Sequence, residues 1–123
     1  MKRIFAAAEE IGIALTPYQA RLLHEFEKLL RELAIPAGLV ARSDSGRLLK
    51  RHLLDSLRPV PLFRSSDRLV YDLGSGAGLP GIPLGIALPR CRFTLAEARS
   101  KRSAFLELAV ERLGLSNMSV HAA

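Results

Sequence analysis

A glycine-rich segment, Asp72-Leu73-Gly74-Ser75-Gly76-Ala77-Gly78-Leu79-Pro80-Gly81, gives the strongest indication of how this chain folds. It follows a short, mostly apolar run, Arg68 to Leu73, whose length and composition are typical of a buried parallel strand. The residues after it, Pro80 to Leu88, have the composition of a short helix. Glycines at alternate positions let the backbone turn sharply and approach a ligand closely. Because parallel sheets bind ligands at the carboxyl ends of their strands, the segment predicts a ligand-binding loop.

The residues after this loop repeat the order of strand and helix. We predict a second strand from Arg92 to Glu97, a helix from Ser100 to Leu113 that ends at Gly114, and a third strand from Asn117 to His121. Strands that alternate with helices at this spacing are joined by right-handed crossovers and form a parallel sheet. The predicted fold class is therefore α/β, with the first half of a Rossmann-like sheet in residues 61–123.

The residues before the loop are predicted to form an N-terminal helical region, 1–60. Thr16-Pro17-Tyr18-Gln19 has the pattern of a helix start, with Thr16 as the N-cap and Gln19 placed to complete a capping box. The apolar side chains that recur behind it at helical spacing are Tyr18, Leu22, Phe26, Leu29, Leu30 and Leu33. Pro36 and Gly38 break this helix, and Asp44 can cap a third helix that runs to Leu57.

The loop and the next predicted strand together indicate a nucleoside ligand. Glu97 ends that strand, where a carboxylate can accept hydrogen bonds from both ribose hydroxyls. The dinucleotide fingerprint requires glycine where this chain has Leu79, and no Walker lysine follows the loop. Asp72 would repel a pyrophosphate but suits a ligand with an ammonium and a sulfonium, which favours S-adenosyl-L-methionine over NAD. The alternative is that the glycines make only a tight turn and that Glu97 is a solvated residue.

The charge of the chain fits a polyanionic partner, with 18 Lys and Arg against 12 Asp and Glu and a net charge of +6. From Arg42 to Arg68 there are seven basic residues and three acidic ones, a net charge of +4. A second basic cluster contains Arg99, Lys101 and Arg102. RNA is the partner that these clusters suggest, although a merely soluble basic protein would have the same surplus.

Other classes of site are disfavoured by the residue types present. A single cysteine, Cys91, allows no internal disulfide and no cysteine-based metal site, and the three histidines lie far apart in sequence. We therefore expect no metal. The apolar run at the start is interrupted by Glu9 and Glu10, too early for a signal peptide. No segment is long enough to cross a bilayer, so we expect no membrane association and a cytoplasmic location.

Three blocks of sequence resemble one family. They are Arg51-His52-Leu53-Leu54-Asp55-Ser56-Leu57, the loop extended to Ile82-Pro83-Leu84, and Lys101-Arg102-Ser103-Ala104-Phe105-Leu106. In order and spacing they resemble the small-subunit ribosomal RNA guanine-N7 methyltransferases, also called the glucose-inhibited division protein B family. Pro80 and Pro83 around Gly81 carry more of this resemblance than the glycines do. The resemblance implies a class I methyltransferase sheet, S-adenosyl-L-methionine as methyl donor and small-subunit ribosomal RNA as substrate.

The resemblance also implies roles for particular residues. Gly74 and Leu79 would contact the cofactor, with Ser75 and Gly76 beside them. Glu97 would hold the ribose, Ala98 would lie against the cofactor, and Asp72 would sit near the methionine amino group. No catalytic base is predicted, because guanine N7 already carries an in-plane lone pair and methyl transfer depends on positioning.

The basic residues near these blocks have less definite roles. Arg51 can meet an RNA phosphate, while His52 and Asp55 can orient their helix against the loop, a packing role being the alternative for His52. Lys101 and Arg102 can bind RNA phosphates or simply form a solvated helix start.

The chain also departs from the family pattern. A Trp-Asn and an Asn-Leu that usually precede the conserved helix are replaced by Leu33 to Leu39. Family members continue past the third strand, so we expect this chain to be a fragment, a truncated reading frame or a shortened form. Its first strand would be an open apolar edge through which copies could associate. Two alternatives remain open: a non-catalytic RNA-binding or interaction remnant, and a small NAD-binding module that Leu79 and Asp72 disfavour.

Overall fold

The computed structural model describes residues 2–64 and 66–122 and has the predicted α/β fold. The helices are α1 (Lys2–Glu10), α2 (Pro17–Leu29), α3 (Asp55–Leu57), α4 (Gly81–Ala87) and α5 (Ser100–Leu113), and the strands are β1 (Leu69–Leu73), β2 (Arg92–Ala96) and β3 (Met118–His121). Two π-helical segments, Leu30–Ala34 and Leu48–Leu54, and two 3₁₀ segments, Arg42–Arg47 and Val60–Leu62, complete the regular structure.

The three strands form one parallel sheet in the order β1-β2-β3 within the described residues. Leu73 pairs with Ala96 and Phe93 with Met118, so the carboxyl ends of β1 and β2 meet at the same edge. Successive parallel strands joined through α4 and α5 are the first half of the Rossmann-like sheet that the sequence predicts. The helix predicted after β2 also ends as expected, because Gly114 adopts a left-handed conformation with φ of 63°.

The prediction that β1 is buried on both faces is wrong. Leu69, Tyr71 and Leu73 are 64%, 65% and 79% exposed, whereas Val70 and Asp72 on the opposite face are half-buried. Paired residues of parallel strands point to the same face, so the face with Val70 continues through Phe93 and Met118, both buried. The other face of the sheet carries no covering helix among residues 2–64 and 66–122.

The start of α2 agrees with the predicted capping box. Thr16 Oγ1 accepts a hydrogen bond from the Gln19 amide at 3.1 Å, and Gln19 Oε1 accepts one from the Thr16 amide at 2.9 Å. The predicted apolar face is correct for Leu22, Phe26, Leu29 and Leu30, which are buried. Tyr18 and Leu33, by contrast, are 54% and 39% exposed. Tyr18 lies in the first turn of α2, with the Arg21 guanidinium 5.2 Å from its ring centre, and Leu33 lies in the π-helical segment after α2.

The third predicted helix forms, but not as a regular α-helix, and Asp44 is not its N-cap. Residues 42–47 are 3₁₀, residues 48–54 are π-helical, and only α3 is α-helical. Asp44 lies inside the 3₁₀ turn, where its Oδ2 accepts from His52 Nε2 at 3.2 Å instead of from a helix-start amide. The apolar residues Leu48, Leu53 and Leu57 recur along this segment at near-helical spacing, and each is 1% exposed.

One hydrophobic core joins the N-terminal helices to the sheet. Its fully buried members include Phe26 from α2, Leu53 from the π-helical segment, Ile82 from α4 and Leu106 from α5. The same two halves are also linked by a polar side chain, because Gln19 Nε2 donates to the carbonyl oxygens of Ile86 and Ala87 at the end of α4. The helical layer therefore supports the helix that follows the glycine loop, and the division near residue 60 stays a prediction.

Candidate functional site

The glycine loop is tied to the second strand through its backbone. The amides of Gly74 and Ser75 both donate to the carbonyl oxygen of Ala96, at 2.8 and 3.1 Å, and the Gly78 amide donates to Ser75 O at 2.8 Å. Gly74, Gly76 and Gly78 all have positive φ, which favours glycine over every other residue type. The three glycines thus allow the chain to leave β1, turn across the end of β2 and enter α4.

Glu97 fastens the loop to the start of α5. Its Oε1 accepts from the Gly76 amide at 2.8 Å and its Oε2 accepts from the Arg99 amide at 3.0 Å, and the residue is buried. The backbone amides of Arg99 and Gly76 hold the pKa of the Glu97 carboxyl below its ordinary value, helped by the Arg102 and Arg99 guanidinium groups. The side chain is therefore held as a carboxylate at the end of β2.

Asp72 places a second carboxylate at the end of β1. Its Oδ2 is buried and has no hydrogen-bond partner among the described residues. Burial raises the pKa of the Asp72 carboxyl, against the lowering effects of the Ser75 hydroxyl and the Gly81 amide. A buried acceptor without a donor is costly in a folded protein, and this oxygen faces the start of α4, where a Cβ on Gly81 would lie 2.6 Å from it.

These contacts indicate the charge of the ligand that would fit. A phosphate-binding loop presents free backbone amides, whereas the amides of Gly74, Gly76 and Gly78 all have acceptors within the protein. What the site offers instead is the half-buried Asp72 carboxyl and the remaining lone pairs of Glu97, since an ionised carboxylate has about four acceptor positions. The residues present therefore fit a cationic nucleoside with free hydroxyls better than a pyrophosphate.

The other residues predicted for the site lie around these two carboxylates in different environments. Leu79 is half-buried and Ala98 is exposed just after Glu97. Ser75 is buried, and its hydroxyl donates to the carbonyl oxygen of Asp72 at 2.8 Å, so it shapes the loop from inside. Their contacts with a cofactor stay predictions.

The residues predicted to meet RNA are divided between two surfaces. Arg51 is exposed on the π-helical segment, whereas Lys101 is exposed and Arg102 half-buried in the first turn of α5. His52 pairs with Asp44, which supports the packing role that the sequence left open. Asp55 is exposed and accepts from Arg58 Nε at 3.0 Å, so it does not orient its helix against the glycine loop.

Sequence reasoning missed the close packing of two glycines in α4. A Cβ at Gly81 would lie 2.5 Å from Leu95 Cδ2 and 2.6 Å from Asp72 Oδ2, and one at Gly85 would lie 2.5 Å from Met118 Sδ. Glycine is unfavourable inside a helix, so two glycines in a predicted helix were the feature of the sequence that could have indicated this close packing. The two glycines let α4 pack directly on β1, β2 and β3 and bring its first residue against the Asp72 carboxylate.

The described part of the chain has neither a cluster of metal-binding side chains nor a membrane-spanning helix. No group of three or more His, Cys, Asp or Glu side chains is placed to hold a metal ion in residues 2–64 and 66–122. Over the same ranges, no helix combines the length and apolar character required to cross a membrane.

Comparison with known proteins places these features in a family. The family profile described as rRNA small subunit methyltransferase G matches residues 19–123. The ribosomal RNA small subunit methyltransferase G of Laribacter hongkongensis is 40% identical over 115 residues, which are 94% of this chain and 55% of that protein. The protein of the same name from Nitrosococcus oceani is 39% identical over 110 residues, 89% of this chain and 50% of the relative. This chain thus spans about half the length of these relatives, and it belongs to the rRNA small subunit methyltransferase G family.

Proposed function

We propose that this chain carries the cofactor-binding part of an enzyme that transfers a methyl group from S-adenosyl-L-methionine to guanine N7 in small-subunit ribosomal RNA. The observation that carries the proposal is the half-buried Asp72 carboxyl at the end of β1, beside a loop whose three glycine amides are already bonded. Both features suit a cationic nucleoside, and the relatives are named as ribosomal RNA methyltransferases.

The roles of the binding residues follow from their positions. The half-buried Asp72 carboxylate would accept a hydrogen bond from the ammonium of the methionine part. Glu97 would use its free lone pairs for ribose hydroxyls while it keeps the amides of Gly76 and Arg99. Gly74 and Leu79 would contact the cofactor along the loop, and Ala98 would lie against it on the side of β2.

The chemistry requires positioning more than proton transfer. When bound, S-adenosyl-L-methionine supplies a methyl group on a positively charged sulfur. Guanine N7 attacks with a lone pair that is already in the plane of the ring, so no residue of this chain is assigned as a base. The contribution of Asp72 and Glu97 is to fix the orientation of the donor, and correct orientation alone can lower a barrier by roughly 7–11 kcal/mol.

The same proposal includes an RNA partner and a cellular location. Arg51, Lys101 and Arg102 are proposed to meet RNA phosphates, in keeping with the net charge of +6. A substrate in the small ribosomal subunit would place the reaction in the cytoplasm. Self-association through the exposed edge formed by β1 is proposed as well, because Leu69, Tyr71 and Leu73 present apolar surface there.

A thermal melt with and without excess S-adenosylhomocysteine, the product, tests the proposal. A ligand at about 100 times its Kd adds about 2.7 kcal/mol to stability, so we expect a clear upward shift in Tm. NADH at the same excess is the control and should cause none. A cooperative melt that only NADH shifts would assign the loop to a dinucleotide, and a melt that neither ligand shifts would favour a non-catalytic remnant of the family.

A further inference from the structure

A groove of about 390 Å³ lies along the segment that leads into α3 and is lined almost entirely by basic side chains. The lining residues are Arg47, Lys50, Arg51, Asp55 and Arg58. None of them belongs to the glycine loop site described above, and four of the five are cationic. The groove is therefore a separate feature of the molecule with a strong positive charge.

The backbone of this segment holds the basic side chains on one side. Arg47 ends the 3₁₀ segment, Arg51 lies in the π-helical segment, Asp55 begins α3 and Arg58 follows it, and all four line the same groove. Leu53 and Leu57 are each 1% exposed and fix the opposite face in the core. Because α3 also packs against α4, the groove is carried by a supported part of the fold.

The carboxylates near the groove leave two cations without a partner. Asp55 is taken by Arg58, whose Nε lies 3.0 Å from Asp55 Oδ1, and Asp44 lies 4.0 Å from an Arg47 nitrogen. Within the described ranges, Lys50 and Arg51 have no carboxylate within 4.0 Å, and both are exposed. Two unpaired cations side by side are a site for anions.

The length of the groove indicates which anion it would take. Arg47 and Arg58 are eleven residues apart, at most roughly 16 Å, because an α-helix rises about 1.5 Å per residue and the π-helical turns between them rise less. That length exceeds a single phosphate and suits successive phosphates of a nucleic-acid strand. Arginine forks bind phosphate oxygens in pairs, while a lysine acts as a point charge.

We propose that this basic groove binds consecutive backbone phosphates of an RNA strand, with Lys50 and Arg51 making the central contacts and Asp55 holding Arg58 in place. The identity of the strand as RNA rests on the proposed function. Phosphate contacts carry no sequence information, so the groove would set affinity and register while the guanine is selected elsewhere.

The test is binding of a fluorescein-labelled oligouridine by the full chain, measured by anisotropy over a range of salt. Each phosphate contact to a single strand contributes about 0.7 to the slope of log K against log salt. The double variant K50Q/R51Q should therefore lower that slope by about 1.4 and weaken binding roughly 20-fold at about 0.1 M salt. Its Tm should equal that of the wild type, because both side chains are exposed.

A matched control removes the same two residue types from elsewhere. Lys28 and Arg90 are exposed and do not line the groove. The slope for K28Q/R90Q should therefore equal that of the wild type, apart from a small change caused by the lower net charge. Equal losses in the two double variants would overturn the proposal, as would failure of the wild type to bind oligouridine. Inorganic phosphate should displace the oligouridine poorly. Displacement when free phosphate is no more concentrated than the phosphate groups of the oligouridine would show that the groove binds only single anions.

Two further measurements separate this proposal from others. The two double variants, K50Q/R51Q and K28Q/R90Q, should bind vesicles that contain phosphatidylserine equally well. If K50Q/R51Q instead lost binding to vesicles and kept its binding to RNA, the groove would be assigned to a membrane surface. The Tm shift with S-adenosylhomocysteine should be the same in both double variants. If the wild type showed no such shift while RNA binding still required Lys50 and Arg51, that result would contradict the proposed function and leave the RNA-binding role of the groove supported.

Discussion

Asp72 combines an exposed strand end with a buried, unpartnered carboxylate oxygen, and this combination has a measurable cost in the free protein. Because the pKa of its carboxyl is raised above the ordinary 3.8, the folded state holds this proton more tightly than the unfolded state does. Asp72 therefore reduces stability above the raised pKa, and that penalty disappears as pH falls through the raised pKa toward the ordinary value. In the proposed function, a cationic group of the ligand would offset this penalty.

We expect Asp72→Asn to melt at a higher temperature than the wild type at neutral pH without ligand, and the difference to shrink as the solution is acidified. The same variant should bind S-adenosylhomocysteine roughly 10- to 100-fold more weakly, because a charged hydrogen bond is worth about 1.5–3 kcal/mol. Calorimetric titration measures the affinity, and melts from pH 3 to pH 8 measure the stability. Glu107→Gln, at an exposed position on α5, should change neither. An Asp72→Asn variant with wild-type affinity would contradict the role given to this residue.

The site also depends on the small size of Gly81. We expect Gly81→Ala to lower the free energy of unfolding by about 1–3 kcal/mol, the usual cost of overpacking, because its Cβ would meet Leu95 and the Asp72 carboxylate. Ligand affinity should fall too, since Asp72 must move.

Gly46 provides the control for this substitution. It has no positive φ, and a Cβ there would meet nothing within 4 Å. Gly46→Ala should be neutral or more stable by up to about 1 kcal/mol, because alanine reduces the entropy of the unfolded chain. Urea unfolding of the two variants side by side makes the comparison, and equal stability would show that α4 tolerates a methyl group beside Asp72.

For single residues, the sequence predicts which side chains form the site better than it predicts the contacts that they make. Asp72 and Glu97 follow from their places at the ends of strands, where parallel sheets bind ligands. The bonds from Glu97 to the amides of Gly76 and Arg99 do not follow, because they depend on how the loop closes in three dimensions. The clash at Gly81 likewise involves Leu95, fourteen residues further along.

Among the elements, α2 has the start that the sequence predicts, and one of its capping residues also serves α4. Thr16→Ala should cost about 1 kcal/mol, the usual value for an N-cap. Gln19→Ala should cost more, because it removes the return bond of the capping box and both bonds to the carbonyl oxygens of Ile86 and Ala87. Urea unfolding gives the two losses.

Hydrogen exchange distinguishes the two roles of Gln19. The Leu88 amide, which donates to Leu84 O at 2.8 Å, should exchange faster in Gln19→Ala and not in Thr16→Ala. Equal exchange in both variants would mean that the bonds from Gln19 do not hold the end of α4. The capping pattern could be predicted because its partners are three residues apart, whereas the α4 contact spans 67 residues.

The third helical segment, residues 42–57, lies where the sequence predicts it, but it is not the regular α-helix that was predicted. Its apolar residues at helical spacing predict the buried side, and Leu48, Leu53 and Leu57 are indeed buried. The N-cap prediction failed because Asp44 had a competing partner, His52, eight residues away, and the first turns became 3₁₀ and π-helical. Local capping preferences decide a helix start only when tertiary contacts do not offer the same side chain another bond.

For the whole molecule, the parallel sheet could be predicted, but the burial of β1 could not. Strand composition indicates apolar surroundings without saying which element supplies them. The face of Val70 and Phe93 is covered by helices, while the face of Leu69, Tyr71 and Leu73 is open within the described residues. The single core that joins the two predicted regions depends in the same way on contacts distant in sequence.

The open face of β1 gives the last prediction, which concerns association of the whole chain. Three large apolar side chains in a row on an edge strand form a site for pairing with another chain, so sedimentation velocity should show reversible self-association that grows with concentration. Tyr71→Lys places a charge in the middle of this row and should weaken association about tenfold, a loss of about 1.4 kcal/mol. Leu62→Lys is the matched control, because Leu62 is 82% exposed but lies in a 3₁₀ turn away from the sheet. A chain that stays monomeric at all concentrations would contradict the proposed edge contact, and equal weakening by both substitutions would show that association follows general hydrophobicity instead of the strand.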